Sequence, residues 1–320
     1  PGSGTTTVAA TVVLDAVRTS PPDLLHVHVV GGPDLGPLAG LPHVGAVIGP
    51  DEHERQRRLL ADLAADLAAR RTDHGGAGAE HRTSTNRLVV VDGIGTFRRR
   101  WDDLDPSNTW SHLLDLATHG PAVGLHLLVT GASAGEVPHR LLAACHQRLV
   151  FRLADPADRT GLGVSGGSGR ARGALPAGRA TALPGSIDVQ VARAPEGLAA
   201  AVARIAGDRL PVAVPPRWIG RLPTQVVATQ LGSVRPERGG LVVPLGIRDD
   251  DLATAHLALA DGGHVIVAGP ARSGRTNALR LVATHAVREG WSVVVIARRD
   301  GEWHHWPVLV PSPRDPESVA

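Results

Sequence analysis

The stretch Gly269-Pro-Ala-Arg-Ser-Gly-Arg-Thr276 is the best guide to how this 320-residue sequence folds. It follows the apolar run HVIVA at 264–268, and it precedes the sequence NALRLVATHAVREG, which favours a helix. A strand, a glycine-rich loop and a helix N-terminus in this order form a phosphate-binding loop with the pattern G-x-x-x-x-G-K-[ST], whose backbone amides attract an anion. We therefore predict a nucleotide triphosphate site with Mg²⁺ held by Thr276, formed by Gly269, Pro270, Ala271, Arg272, Ser273, Gly274, Arg275 and Thr276.

The loop departs from its pattern at the lysine position, which is Arg275. The departure cannot be compensated from elsewhere in the chain, because every one of its 33 Lys-plus-Arg residues is arginine. Arginine keeps the positive charge but replaces a compact ammonium with a broad planar group, and the two are not equivalent at a tight phosphate site. The motif predicts nucleotide binding and leaves hydrolysis open.

The beginning of the chain repeats this motif. PGSGTTTVAATVVLDAV opens the sequence, and ARSGRTNALRLVATHAV follows with Gly274 placed 270 residues after Gly4. In both copies Ser-Gly-X-Thr precedes an amphipathic helix and then an apolar strand. Thr5 takes the lysine position, so neither copy has the lysine. We predict a first nucleotide loop, with Thr6 as its Mg²⁺ ligand, from Gly2, Ser3, Gly4, Thr5 and Thr6.

Helical and strand patterns alternate between the two repeats. Apolar strands are predicted at 24–30, 87–93, 124–131 and 148–154, and helices at 52–71 and 108–120. Unbroken apolar strands separated by helices are typical of a mostly parallel sheet covered by helices on both faces. The predicted class is therefore α/β, with tandem repeats of which the first is nearly complete and the second truncated.

The same patterns divide the chain into three parts. Residues 1–208 form the first domain, which lacks its first strand, and the proline-rich residues 209–235 form a linker. Residues 236–320 form the N-terminal part of a second domain. It starts with a hairpin at 241–263, continues with the strand at 264–268 and the loop, and reaches another apolar strand at 291–297.

Two side chains at strand ends are candidates for chemistry in the first domain. Asp92 ends a buried strand 86 residues after Thr6, as expected of the carboxylate that holds the water shell of Mg²⁺; the alternative is that it caps a turn. Thr130 ends the next strand and could sense a γ-phosphate, or bond only to its own backbone. Gly93 occupies the position at which a hydrolytic enzyme of this class carries a glutamate, and glycine cannot activate water.

Composition limits the other possibilities. No apolar run approaches the roughly 18 residues of a membrane span, and the net charge of +2 permits nucleic-acid binding without indicating it. A single cysteine excludes an internal disulfide and fits a reducing compartment. The 16 histidines show no metal-binding spacing. Arg98, Arg99 and Arg100 are expected in a solvated turn neutralised by Asp102 and Asp103; the alternative is a nucleic-acid contact.

Several segments resemble the FtsK/SpoIIIE family of RecA-like ATPases, and most closely its multi-ATPase members in actinobacteria, including the EccC-type ATPases of type VII secretion. The resemblance covers nearly the whole chain. It is carried by GLPHV within 31–52, by RLVVVDG at 87–93, by GPAVGLHLLVT at 120–130, by RLVFRLADPADRTGLG at 148–163, and by the segment at 244–276.

The resemblance implies a RecA-like fold, ATP with Mg²⁺ at the loops, and assembly with other ATPase domains of the same chain or ring. It also implies a substrate, either double-stranded DNA or a secreted protein, and a cytoplasmic segment whose membrane anchor, if any, lies elsewhere in a longer protein. The replaced lysines and Gly93 favour a degenerate module that regulates a competent domain. The alternatives are a slow ATPase or DNA translocase that uses Arg275, and a scaffold that binds no nucleotide.

Overall fold

The computed structural model describes residues 4–74, 85–102, 107–164, 176–194, 196–207, 212–232, 240–259, 263–296 and Trp303. The chain divides into two compact units, Pro1–Arg221 and Leu222–Ala320. No helix of the described part is long and apolar enough to cross a bilayer.

A four-stranded parallel sheet forms the centre of the first unit. Its strands lie in the order β2-β1-β3-β4. Their bounds are β1 Leu25–Val30, β2 Val44–Ile48, β3 Asn86–Asp92 and β4 Leu125–Thr130. The three strands expected from their apolar runs are present, and the observed parallel pairing confirms the predicted fold class.

Helices cover both faces of this sheet. They are α1 Thr5–Thr19, α2 His53–His74, α3 Ile94–Trp101, α4 Thr109–His119, α5 His139–Ala144 and α7 Leu198–Gly207, while the short helix α6 Pro156–Gly161 contributes no described side chain to either core of the sheet. Successive strand residues face opposite sides. Val27 and Val29 therefore pack in one core with α1 and α7, while Val30 packs in another with α2 and α4.

A small antiparallel sheet follows in the first unit. Its order is β5-β6-β7, from β5 Arg148–Val150, β6 Arg179–Leu183 and β7 Ile187–Gln190. The strand expected over 148–154 ends at Val150. The sequence of β6, RATAL, lacks the β-branched run that would have predicted it.

The arginine run at 98–100 lies in α3, so the predicted turn is wrong. Ile94, Phe97 and Trp101 recur at helical spacing and are buried, which fixes the helix against the core. The expected neutralisation is present for one arginine, since Arg98 pairs with Asp102 at 2.7 Å. Asp103 lies outside the described residues.

The second unit contains the predicted hairpin and helix. Strands β8 Leu241–Ile247 and β9 Thr254–Leu259 pair antiparallel, and α8 spans Arg275–Arg288. The strands predicted at 264–268 and 291–297 are not formed in the described residues, where Ile266 and Ile296 are each 91% exposed. A parallel strand needs hydrogen-bonded neighbours, and in the described part of this unit the only sheet is the β8–β9 hairpin.

Candidate nucleotide-binding site

The first candidate loop ends at the N-terminus of α1. Gly4 caps the helix in the left-handed conformation, with φ 95° and ψ 11°, which glycine adopts without steric cost. Val8 N donates to Gly4 O at 3.0 Å, so the first helical turn closes directly behind the cap. Thr5 and Thr6 lie in that turn, whose free amides can donate to an anion bound at the helix N-terminus. Gly2 and Ser3 lie outside the described residues.

Three of the predicted site residues meet at the carboxyl end of the parallel sheet. Thr6 Oγ1 donates to Asp92 Oδ2 at 2.9 Å, and Thr130 Oγ1 donates to Asp92 Oδ1 at 2.5 Å. Asp92 and Thr130 are directly opposite each other in the β3–β4 register. The carboxylate is thus oriented by hydroxyl groups on both sides, one from the loop helix and one from the neighbouring strand.

Thr130 has a second contact that fixes its rotamer. Its Oγ1 accepts a hydrogen bond from Gly93 N at 2.9 Å while it donates to Asp92. Gly93 itself has a left-handed backbone, with φ 96°, and caps α3. Thr130 therefore does more than bond to its own strand, because it joins the end of β4 to the β3–α3 turn.

Sequence reasoning missed a glycine that shapes this site. A β-carbon on Gly31, just after β1, would lie 2.9 Å from Cβ of Asp92 and 3.3 Å from Cδ1 of Leu35. Such separations are below van der Waals contact, so a side chain at Gly31 would displace Asp92. The Gly31-Gly32-Pro33 sequence directly after an apolar strand was the available signal.

A cleft of about 270 Å³ opens beside Asp92 and was also missed. Arg99 and Arg100 of α3 line it together with His53, so the predicted carboxylate shares a cleft with several groups that can carry positive charge. The sequence did not predict this arrangement, because residues 98–100 were expected in a turn and the arginines reach the cleft from a helix.

The second candidate loop has the same helix cap as the first. Gly274 has φ 90° and ψ 8°, and Ala278 N donates to Gly274 O at 2.9 Å. Ser273 N donates to Pro270 O at 3.3 Å, and a β-carbon on Gly269 would lie 2.5 Å from Ser273 Oγ, so a side chain there would force Ser273 to shift. Arg275 and Thr276 begin α8 and are exposed. The internal repeat therefore extends to backbone geometry.

The two loops differ in what surrounds them. In the described part of the second unit, Thr276 has no hydrogen bond to a carboxylate comparable to the Thr6–Asp92 pair. In the first unit, Arg148 donates to the carbonyls of Leu142, Cys145 and Leu162. No cluster of three or more histidine, cysteine or acidic residues that could hold a metal occurs among the described residues.

Magnesium and a nucleotide fit the first site by donor chemistry. Mg²⁺ prefers oxygen ligands and keeps part of its water shell, and the site offers the hydroxyl of Thr6 and the carboxylate of Asp92. What the site lacks is a cation at Thr5 and a carboxylate at Gly93. Among the described residues, Thr6 and Asp92 offer the oxygen ligands that a metal–phosphate group would use.

Curated proteins similar to this chain belong to mycobacterial ESX secretion systems. No family model matches the chain. The EccC3 protein of the ESX-3 secretion system of Mycobacterium tuberculosis (strain ATCC 25618 / H37Rv) is 30% identical over 318 residues, covering 93% of this chain and 23% of EccC3. The EccCb1 protein of the ESX-1 system of Mycolicibacterium smegmatis (strain MKD8) is 27% identical, covering 88% of this chain and 51% of EccCb1. The chain thus spans about a quarter to a half of these relatives.

Solved structures share the fold. Thermomonospora curvata EccC (ATPases 2 and 3), in complex with a signal sequence peptide, superposes with a TM-score of 0.70 at 22% identity, covering 92% of this chain and 56% of that one. EssC (ATPases 2 and 3) of Geobacillus thermodenitrificans gives a TM-score of 0.73 at 15% identity, covering 99% of this chain and 64% of that one. The expected likeness is therefore confirmed: the homologues of this chain are the EccC-type ATPases of type VII secretion, and its fold is that of their ATPase domains.

Proposed function

We propose that this chain is a nucleotide-binding module of an EccC-type secretion motor, and that it binds Mg²⁺–ATP without appreciable hydrolysis. In this role it regulates a competent ATPase domain elsewhere in the same chain or ring. Residues 1–208 serve as an ATPase-type domain, residues 209–235 as a linker, and residues 236–320 as the beginning of the next ATPase-type domain.

The Thr6–Asp92–Thr130 constellation carries the proposal. The hydroxyl and carboxylate that would hold Mg²⁺ are within 2.9 Å of each other and already oriented. The two groups that hydrolysis would need are missing at their places, since Thr5 cannot neutralise phosphate charge and Gly93 cannot polarise water. A site that keeps the metal ligands while lacking the catalytic groups is suited to static binding.

Binding and turnover can be measured separately on the chain. We expect a fluorescent ATP analogue to bind in Mg²⁺ and to be released by EDTA, while phosphate release stays at background. Thr6→Val should weaken Mg²⁺-dependent binding at the first site by roughly tenfold or more, since hydrogen bonds to charged groups contribute about 1.5–3 kcal/mol. Thr7→Val is the matched control, because Thr7 is exposed in the same helical turn.

Nucleotide binding at the second loop must be removed before binding at the first site can be measured. Thr276→Val removes the corresponding hydroxyl of the second loop, so the Thr6→Val effect is measured in that background. Mg²⁺-dependent phosphate release by the unmodified chain would contradict the proposal. Absence of any nucleotide binding would also contradict it, and would favour a scaffold with empty pockets.

A slow ATPase that uses Arg275 is the second candidate. It is favoured by the intact loop geometry at Gly274 and by the cation that Arg275 retains at the lysine position. Phosphate release that disappears with Arg275→Ala, and that persists with Asp92→Asn, would support this candidate.

A secreted protein is the proposed cargo, with double-stranded DNA as the alternative. The proposal follows the relatives, which are secretion-system proteins, and the T. curvata structure, which holds a signal sequence peptide. The net charge of +2 offers no strong field for duplex DNA. Salt-dependent binding to a DNA duplex, absent for a signal-type peptide, would reverse this choice. We also propose that the module works in the cytoplasm, because its fold is shared with the cytoplasmic domain of T. curvata EccC.

A further inference from the structure

Residues 212–221, which we call the strap, lie on the α2 face of the parallel sheet and are held there by two buried histidines. His26 Nε2 lies 3.0 Å from Val214 O, and His28 Nε2 lies 2.9 Å from Arg217 O. The two imidazoles are two residues apart on β1, so they face the same side. A carbonyl only accepts hydrogen bonds, so each Nε2 carries the hydrogen and, in the neutral ring, Nδ1 is bare.

The sequence permits an unusually close approach of the strap to the sheet. A β-carbon on Gly45, in the neighbouring strand β2, would overlap both Arg217 O and His28 Nε2. His28 is completely buried and His26 is 7% exposed. The strap is part of what shields these rings from water.

Other contacts hold the strap without changing charge near neutral pH. The Asp23 carboxylate accepts hydrogen bonds from Ala213 N at 2.8 Å and from Val214 N at 2.7 Å. Arg217 pairs with Asp62 at 2.8 Å, and Arg221 with Glu52 at 2.6 Å. Two arginines of α2 donate to strap carbonyls, Arg55 to Ile219 and Arg58 to Gly220. Carboxylates and guanidinium groups keep their charge between pH 5 and 8.

The surroundings of the two imidazoles disfavour a second proton. Arg87 of β3 lies on the same face and opposes the charge of both rings, while Asp62 attracts His28 and Asp23 attracts His26. Arg87 is already bonded to Asp62 at 2.7 Å and to Asp66 at 3.0 Å, which compensates much of that acidic charge. In the described part of the chain, His28 Nδ1 has no hydrogen-bond partner. Protonation would therefore bury an unpaired N–H beside a guanidinium group.

We propose that the strap is a proton-sensitive latch, seated on β1 while His26 and His28 are neutral and lifted when they are protonated. Lifting is the most direct way to admit water to both rings, and it withdraws only Ile219 of the strap from the apolar core beneath α2. Residue 222 begins the second unit, so the latch sets how firmly the chain leading to that unit is held.

The size of the effect follows from proton linkage. Burial and Arg87 lower the pKa of His28 from 6.5 to about 4, and burial also lowers the pKa of His26. If lifting the strap restores the pKa of His28 to 6.5, the equilibrium constant for lifting increases roughly 30-fold between pH 7.5 and pH 5 from this residue alone. His26 adds to this in the same direction.

Hydrogen exchange tests the latch on the whole chain. Protection factors for the strap amides, corrected for the intrinsic pH dependence of exchange, are compared at pH 7.5 and pH 5.0. We expect a roughly 30-fold or larger drop that is confined to the strap, with amides of α2 and β3 unchanged. In His26→Gln/His28→Gln, whose amides donate to the same carbonyls but do not titrate, the drop should disappear.

His43→Gln is the matched control. His43 is also completely buried, and burial lowers its pKa, but its Nε2 lies 2.8 Å from Ser20 O and not on the strap. We expect this variant to keep the full pH response. Unchanged strap protection in the parent chain, or a drop that survives in the double glutamine variant, would overturn the latch. Should the double variant not fold, His28→Gln alone must lose most of the response, or the proposal is wrong.

Discussion

Gly31 lies so close to Asp92 that a β-carbon on Gly31 would stand 2.9 Å from the β-carbon of Asp92. The end of β1 therefore supports the end of β3, and the carboxylate has room only because residue 31 has no side chain. The same carboxylate accepts hydrogen bonds from Thr6 and Thr130, so a shift at Gly31 reaches both hydroxyl groups.

This contact predicts that Gly31→Ala weakens Mg²⁺-dependent nucleotide binding at the first site. The added methyl group displaces Asp92 from Thr6, and we expect a roughly tenfold loss of affinity, which is about 1.4 kcal/mol. Gly32→Ala is the matched control, because no atom lies within 4 Å of a β-carbon placed there. The measurement is titration with a fluorescent ATP analogue in the Thr276→Val background. Equal affinities for the two alanine variants would show that Asp92 does not contact the metal site.

The convergence of Thr6, Asp92 and Thr130 could be predicted from sequence, because each follows from a local rule. A glycine-rich loop precedes a helix, polar residues end apolar strands, and parallel strands end at the same edge of a sheet. For Gly31 the sequence offers only a Gly-Gly-Pro stretch after an apolar strand, and for the strap it offers no comparable signal. The first depends on a single close approach between strands, and the second on side chains that bond to backbone carbonyls, which any residue type supplies.

The strand predicted at 264–268 is not formed, and the reason is different. Its Val and Ile content is right for a strand, but the content of a segment does not provide the neighbours that its backbone needs. Conversely, α3 was not predicted because it contains three consecutive arginines, although Ile94, Phe97 and Trp101 recur at helical spacing on its buried side. A charge run therefore does not exclude a helix when the apolar spacing persists.

The second loop provides a prediction about the shape of the cationic group at the lysine position. Arg275→Lys should increase ATP affinity at this loop, because a compact ammonium fits between phosphate oxygens where a planar guanidinium does not. We expect turnover to stay at background, since in the described residues no carboxylate is bonded to Thr276. The titration is made in the Thr6→Val background. Arg288→Lys makes the same exchange at the exposed C-terminal end of α8, away from the loop, and should leave affinity unchanged. Higher affinity in both variants would mean that general electrostatics, and not the lysine position, sets binding.

A buried ion network beneath the strap should matter for stability. The side chain of Arg87 is 7% exposed and pairs with Asp62, which is 11% exposed, and with Asp66. Each carboxylate keeps a second arginine partner when Arg87 is removed. Arg87→Met should therefore lower the free energy of unfolding by about 1.5–3 kcal/mol, the contribution of hydrogen bonds to charged groups. In the control, Arg140→Met breaks an exposed pair with Asp115 at 3.5 Å and should cost less than about 1 kcal/mol. Urea unfolding followed by tryptophan fluorescence gives both values, and similar losses for the two variants would contradict the network's role.

The free energy of unfolding at low pH should depend on Asp66. Burial opposes its charge, but hydrogen bonds from Arg70 and Arg87 prevail and hold the pKa of Asp66 below its ordinary value of 3.8. A carboxyl group with a lowered pKa in the folded state stabilises the protein above pH 3.8, and this contribution is lost as pH falls through the lowered pKa. Asp66→Asn should therefore reduce stability at pH 6 and flatten the decline in stability below pH 4. Asp115→Asn, at the exposed pair, should leave the profile of the parent chain in place. A profile for Asp66→Asn that runs parallel to the parent's below pH 4 would show that Asp66 does not carry the acid dependence.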